Sequence, residues 1–164
     1  MLSSCKHYII LLICLLLSGK LLAYNQAIPP TFENIRQELP HDIVHDIFED
    51  SNGFIWFATK DGLCRYDGEK FIVYRELLDQ KSISNGRILC ITEDHQGNIW
   101  AGTEKGFNKI NPLSNEIHSF LKESYPLLKD NHIHDLYFSR ESGILRIATK
   151  SGISLYDVIN EKFI

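Results

Sequence analysis

Four cysteines, one methionine and two tryptophans are all that the 164 residues hold of these types. Cys64 and Cys90 are the only cysteines in the body of the chain, and nothing resembles C-x-x-C. Two cysteines do not make a disulfide scaffold. Each sits inside an apolar run that reads as a strand, so buried free thiols are expected. Lysine and arginine number 17 against 21 acids and are scattered singly. No basic stripe is available to neutralise a phosphate backbone, which argues against nucleic acid as a partner. The sequence also lacks a kinase histidine motif, a glycine-rich nucleotide loop and any window of ten or more residues with a helical period. Catalysis of phosphoryl transfer would have to belong to other sequence.

A long hydrophobic run is missing too. The apolar stretch "YIILLICLLL", Tyr8 to Leu17, is preceded by Lys6 and His7 and closed by Ser18, Gly19 and Lys20. A membrane-spanning helix needs roughly 20 apolar residues. The charged start, short apolar core and small-residue exit are those of a secretory signal peptide, 1–23, cleaved after Ala23 with Ala27 as the fallback. Cys14 follows Ile13, a bulky residue, which excludes lipoprotein processing. Loss of Lys6 and Lys20 takes the formal charge from −4 to −6. The expected location is periplasmic or secreted.

What the chain does have is repetition. "FIWFATKDG" from Phe54, "NIWAGTEKG" from Asn98 and "ILRIATKSG" from Ile144 are one phrase written three times, 44 and 46 residues apart. Each follows a strand-like run that ends in a polar turn closed by Gly53, Gly97 or Gly143. Trp56, Trp100 and Arg146 occupy equivalent places, as do Thr59, Thr103 and Thr149. Gly62, Gly106 and Gly152 open a third run, and "EKFIVY", "EIHSF" and "EKFI" supply a fourth. The runs are short, rich in Ile, Val, Phe, Tyr, Trp and Thr, and punctuated by Gly, Asn and Asp, which is the pattern of strands joined by hairpins. In "EDSNG" and "EDHQG" an Asp or Asn side chain can bond the local backbone while Gly supplies the positive φ.

In "FIWFAT" both faces of the strand are apolar, so both must be covered. A β-propeller does this by stacking four-stranded blades around an axis, with a repeat of roughly 40–45 residues. Ala58, Gly102 and Ala148 suit a sheet that narrows toward that axis. Among all-β readings, a sandwich predicts no long repeat and a β-solenoid a shorter one. The expectation is therefore all-β: a partial propeller of about three antiparallel four-stranded blades. The blades are placed at 40–83, 84–128 and 129–164, the last truncated, after a lead-in at 24–39. Thr31 to Leu39 would be a spare strand that closes the ring. Propellers close with 4–8 blades. The chain is thus expected to be the N-terminal piece of a longer one, with the remaining blades as partners.

Several residue groups could carry chemistry. His41, His45, His132 and His134 invite a metal site, but the repeated "HD" fits a shared strand pattern better than three or four convergent ligands. Asp50, Asn52, Asp94 and Asn98 lack the spacing of a calcium loop. Glu49, Asp50, Asp61, Glu93, Asp94 and Glu104 could furnish a glycosidase pair, yet they read as solvated turn residues on loops. Trp56 and Trp100 read as inter-blade packing residues rather than sugar platforms. No catalytic residue, metal or cofactor is assigned. The residues placed to meet a ligand are those on loops between strands: Lys60, Asp61, Glu104, Lys105 and Lys150.

The stretches "EDSNGFIWFATKDGLCRYDGEKF" and "EDHQGNIWAGTEKGFNKINPLSNEIHSF" resemble the two-component regulator propeller repeat. The third copy departs from it at Arg146 and at Ser139–Arg140. The resemblance covers Pro40 to the end, with "TFENIRQELPHD" as its run-in. It implies the periplasmic sensor portion of a hybrid two-component system, in a Gram-negative periplasm. Such a sensor binds oligosaccharides released from glycans, controls the genes that consume them, and can act as a homodimer. The alternatives are an exported propeller enzyme, a glycan lyase or glycosidase, and a secreted protein-interaction propeller.

Overall fold

The computed structural model describes residues 38–78 and 82–164. The signal peptide with its exit at Ala23 lies outside the described residues, as does most of the lead-in strand at Thr31 to Leu39.

Twelve strands form three separate four-stranded antiparallel sheets. The first sheet contains β1 (Val44–Glu49), β2 (Ile55–Thr59), β3 (Gly62–Tyr66) and β4 (Phe71–Tyr74). The second contains β5 (Ile88–Glu93), β6 (Ile99–Thr103), β7 (Gly106–Ile110) and β8 (Ile117–Phe120). The third contains β9 (Ile133–Ser139), β10 (Ile144–Thr149), β11 (Gly152–Asp157) and β12 (Lys162–Phe163). Each sheet is a meander in which sequence neighbours pair. Trp56 pairs with Phe48 and Arg65, Trp100 with Thr92 and Lys109, and Arg146 with Tyr137 and Leu155. The phrase repeated in sequence is therefore the second strand of every sheet, in one register.

The second sheet is sandwiched. One side packs Ile91, Ile99, Ala101 and Ile110 against Trp56, Ala58, Leu63 and Tyr74 of the first sheet. The other packs Cys90, Trp100, Phe107 and Phe120 against Ile133, Leu136, Leu145, Ile147 and Tyr156 of the third. Every residue of β6 is buried, as a strand apolar on both faces requires. Burying each such large side chain stabilises by roughly 1.5–3 kcal/mol. The sheets approach closely at Gly102, where a Cβ would lie 2.5 Å from Cys90 Sγ and 2.7 Å from Ile133 Cγ2. That is the physical reason for a small residue at this position.

Three of the acids read as solvated turn residues, Asp50, Glu93 and Asp94, are buried, while Glu49 and Asp61 are exposed. Asp50 and Asp94 are 4% and 1% exposed, and Glu93 is 7% exposed. Asp50 Oδ1 accepts the backbone N–H groups of Asn52 and Phe54, and Oδ2 accepts the Trp56 indole N–H at 2.8 Å. Asp94 repeats this with Gln96, Asn98 and the Trp100 indole at 2.9 Å. A buried tryptophan needs a hydrogen-bond partner, and the turn acid is drawn inward to supply it. Glu49 and Glu93 are also not loop residues, since they end β1 and β5. Glu93 Oε1 accepts the Ser51 N–H at 3.0 Å, and its other oxygen lies 3.5 Å from the Arg140 guanidinium, so it ties the turns of all three sheets.

Candidate functional site

Strand direction sorts the connections into two ends. At one end lie the β2–β3, β6–β7 and β10–β11 hairpins together with the crossovers between sheets. Thr59, Thr103 and Thr149 shape these hairpins identically. Each hydroxyl donates to the carbonyl of Gly62, Gly106 or Gly152 at 2.7, 2.8 and 2.7 Å. Each also accepts a backbone N–H from Asp61, Lys105 or Ser151. The crossovers are strapped to the hairpins by Gly62 N–H to the Gly86 carbonyl at 2.7 Å and Gly106 N–H to the Asn131 carbonyl at 2.6 Å.

This geometry places Lys60, Asp61, Glu104, Lys105 and Lys150 at the same end of their sheets, on rigid two-residue turns. Lys60, Lys105 and Lys150 are exposed. Asp61 is paired with Arg75, and Glu104 with Arg87 at 3.2 Å. Asp130, from the second crossover, accepts the His132 N–H at 2.9 Å and the Ser151 hydroxyl at 2.7 Å. Those two bonds, the backbone one foremost, hold its carboxyl below the usual range. This end therefore presents exposed lysines beside acids paired with arginines.

Neither of the two thiols singled out above is activated. Burial pushes the Cys64 thiol up to about 11 and the Cys90 thiol up to about 12, so both stay protonated. Among the acids weighed as a glycosidase pair, Asp50 and Asp94 are committed to their turns, Glu93 to Ser51 and Arg140, and Asp61 and Glu104 to arginines. Among the described residues no cluster of three or more His, Cys, Asp or Glu side chains is placed to hold a metal ion. His41 Nδ1 accepts the Ile43 N–H, while His132 and His134 stand with ring centroids 4.8 Å apart.

Sequence reasoning did not single out the rim of the second sheet. A groove of about 320 Å³ is lined there by Gln96, Asn98, Lys109, Asn111, Glu116 and His118. A neighbouring one of about 330 Å³ shares Lys109 and His118 and adds Phe120, Tyr125, Tyr156 and Glu161. His118 Nε2 lies 2.8 Å from the Tyr125 hydroxyl, and Lys109 pairs with Glu161 at 3.2 Å. The alternation in "EIHSF" puts His118 and Phe120 on one face, but only the packing of the third sheet turns that face into a groove.

The two-component regulator propeller family matches residues 38–61 and 82–105. These stretches contain both buried Asp–Trp pairs and the threonines that shape the first two hairpins. Two stretches of the chain match the two-component regulator propeller repeat. The sheets superpose on the extracellular domain of the one-component system BT4673 from B. thetaiotaomicron, with 24% identity over 80% of this chain and a TM-score of 0.61. They also match PorZ, a surface component of the type-IX secretion system of Porphyromonas gingivalis, at 21% identity over 70% of this chain and a TM-score of 0.56. The repeats span about a fifth of those structures, 19% and 17% respectively. At these identities the likeness shows the fold, three propeller-type sheets. No curated protein matches the chain.

Proposed function

We propose that the chain forms part of a periplasmic ligand-sensing propeller of a hybrid two-component signalling system. Its ligands would be oligosaccharides, and its output the control of polysaccharide-utilisation genes. The observation that carries this reading is the match of two repeats to the two-component regulator propeller, each with its buried Asp–Trp pair. The paired arginines and acids around Lys60, Asp61, Glu104, Lys105 and Lys150 support a polar ligand surface at the hairpin end. Binding without turnover fits the protonated thiols and the committed carboxylates. Signalling then follows if the ligand binds one arrangement of a homodimeric sensor better than the other, because only differential affinity shifts a population.

The test is to mix the purified protein with oligosaccharides from complex glycans, follow its thermal unfolding, and analyse the sugars afterwards. A sensor gains about 2.7 kcal/mol of stability when ligand is 100 times its Kd, and it returns the sugar intact. Shortened or unsaturated sugars would replace the sensor reading with a glycosidase or lyase.

A further inference from the structure

The rims of the two junctions between sheets differ in a few residues. In the first junction the Tyr74 hydroxyl donates to Asn115 Oδ1 at 2.6 Å, and the Arg65 guanidinium donates to the Pro112 carbonyl. Ile72 and Ile110 pack beside them. Strand register fixes the counterparts in the second junction: Lys109 for Arg65, His118 for Ile72, Phe120 for Tyr74 and Tyr156 for Ile110. Glu161 stands for Asn115, each the left-handed residue of its turn, at φ +50° and +57°. Two isoleucines are thus replaced by a histidine and a tyrosine, and an amide by an acid. The groove of about 330 Å³ lies at these residues, at the end of the sheets opposite the threonine hairpins.

Tyr156 is the member that the protein leaves incomplete. It is 5% exposed, with its ring packed on Trp100, Phe120 and Phe163. Among the described residues its hydroxyl has no hydrogen-bond partner, and it is not sealed in the core but opens on the groove. A buried hydroxyl without a partner is costly. The phenol is protonated at neutral pH, so it offers a donor. Its polar neighbours are already joined in pairs, Lys109 Nζ with Glu161 at 3.2 Å and His118 Nε2 with the Tyr125 hydroxyl at 2.8 Å.

We propose that this groove binds one ring of an uncharged cyclic polyol, with the Tyr156 hydroxyl donating to a ligand oxygen. The Lys109–Glu161 pair presents both signs, so a charged ligand would meet its like as closely as its opposite. A hydroxyl donates and accepts, and can answer the ammonium, the carboxylate and the phenol together. The Phe120 and Tyr125 rings, with centroids 5.0 Å apart, supply an apolar wall for the C–H face of the ring. The volume is at the lower end of the roughly 300–1,000 Å³ of ligand sites, which suits a single ring. A sugar residue and a cyclitol share this chemistry. The inference goes beyond the sensing reading, which puts the ligand at the hairpin end.

The test titrates methyl glucoside, myo-inositol, glucuronate and glucosamine into the isotope-labelled protein and follows its side-chain NMR signals. A neutral ring should shift Trp100, His118 and Tyr156, and both charged sugars should bind more weakly. Binding of only one neutral ring supports the proposal and names the source. Tyr156→Phe should raise the Kd at least about fivefold, the weight of one hydrogen bond. Its thermal stability should be no lower than that of the original chain, because the lost hydroxyl bonds nothing in the protein. His118→Ile and Glu161→Asn, which restore the residues of the first junction, should weaken binding as well. Absence of groove shifts with both neutral rings overturns the proposal, as does tighter binding of a charged sugar. So does a Tyr156→Phe variant that binds equally well or is less stable. Shifts confined to the turns of Lys60, Lys105 and Lys150 would support the hairpin end as the ligand surface and overturn this site.

Discussion

Asp94 makes the residue-scale case. Its carboxylate holds two backbone N–H groups of its turn, the Asn98 side chain and the Trp100 indole, all while 1% exposed. Asp94→Ala leaves a buried indole donor without its acceptor and opens the turn. The expected loss is about 3 kcal/mol, since a hydrogen bond to a charged group contributes about 1.5–3 and an orphaned buried donor costs about 1–3. Urea unfolding checks it, and a loss under about 1 kcal/mol would return Asp94 to the class of solvated turn acids. The sequence made the turn legible but not this burial, because "EDHQG" describes a local loop and the tryptophan it serves lies on the following strand. The third copy shows the coupling: Ser139 stands where the acid would, and the tryptophan is Arg146. The cysteines were legible, since Cys64 and Cys90 lie mid-strand and are buried and free. Neither thiol should react with Ellman's reagent at pH 8 until urea unfolds the chain. Because folding raises both values, their contribution is complete below the unfolded thiol pKa of about 8.5 and declines as pH rises toward about 11 and 12.

Among elements, the hairpins after β2, β6 and β10 carry the repeat. Gly106 has φ +100°, and a Cβ there would lie 2.5 Å from the Phe120 carbonyl oxygen. Gly106→Ala should cost at least about 2 kcal/mol, combining the strained φ with displacement of β8. Thermal unfolding measures it, and a neutral variant would contradict the close approach of β7 and β8. Turn acids set the acid limit of these elements. Backbone N–H groups lower Asp67 (chiefly Lys70) and Asp130 (chiefly His132), and the Asn160 side chain lowers Asp157. Folded values below the ordinary carboxylate pKa near 3.9 mean that these bonds stabilise above that pH and are lost as pH falls through the folded values. Circular dichroism should show stability falling mainly below about pH 4; a main loss between pH 5 and 7 would point to the histidines instead. Strand identity and register were legible from the 44- and 46-residue spacings. The rim grooves at Lys109 and His118 were not, because they arise where two sheets meet.

Among the described residues three sheets stack through two junctions, and the hairpin end presents charged turns. Under the proposed sensing function, that frame positions the binding groups and leaves the readout to an arrangement of domains. The propeller repeat itself was legible because strand-like runs recur at the length of a propeller blade, whereas a sandwich has no long repeat and a β-solenoid a shorter one. The identity of the proposed ligand was not, since Lys60, Asp61, Glu104, Lys105 and Lys150, the residues proposed to meet it, are ordinary turn residues whose spacing in sequence encodes no shape. The most direct measurement of the sensing claim is transcription. In the source bacterium, deletion of this gene should abolish the induction of polysaccharide-utilisation genes by their glycan, while glycan-cleaving activity in extracts of a constitutively induced strain stays intact. Induction that survives deletion, with glycan cleavage lost instead, would contradict the account.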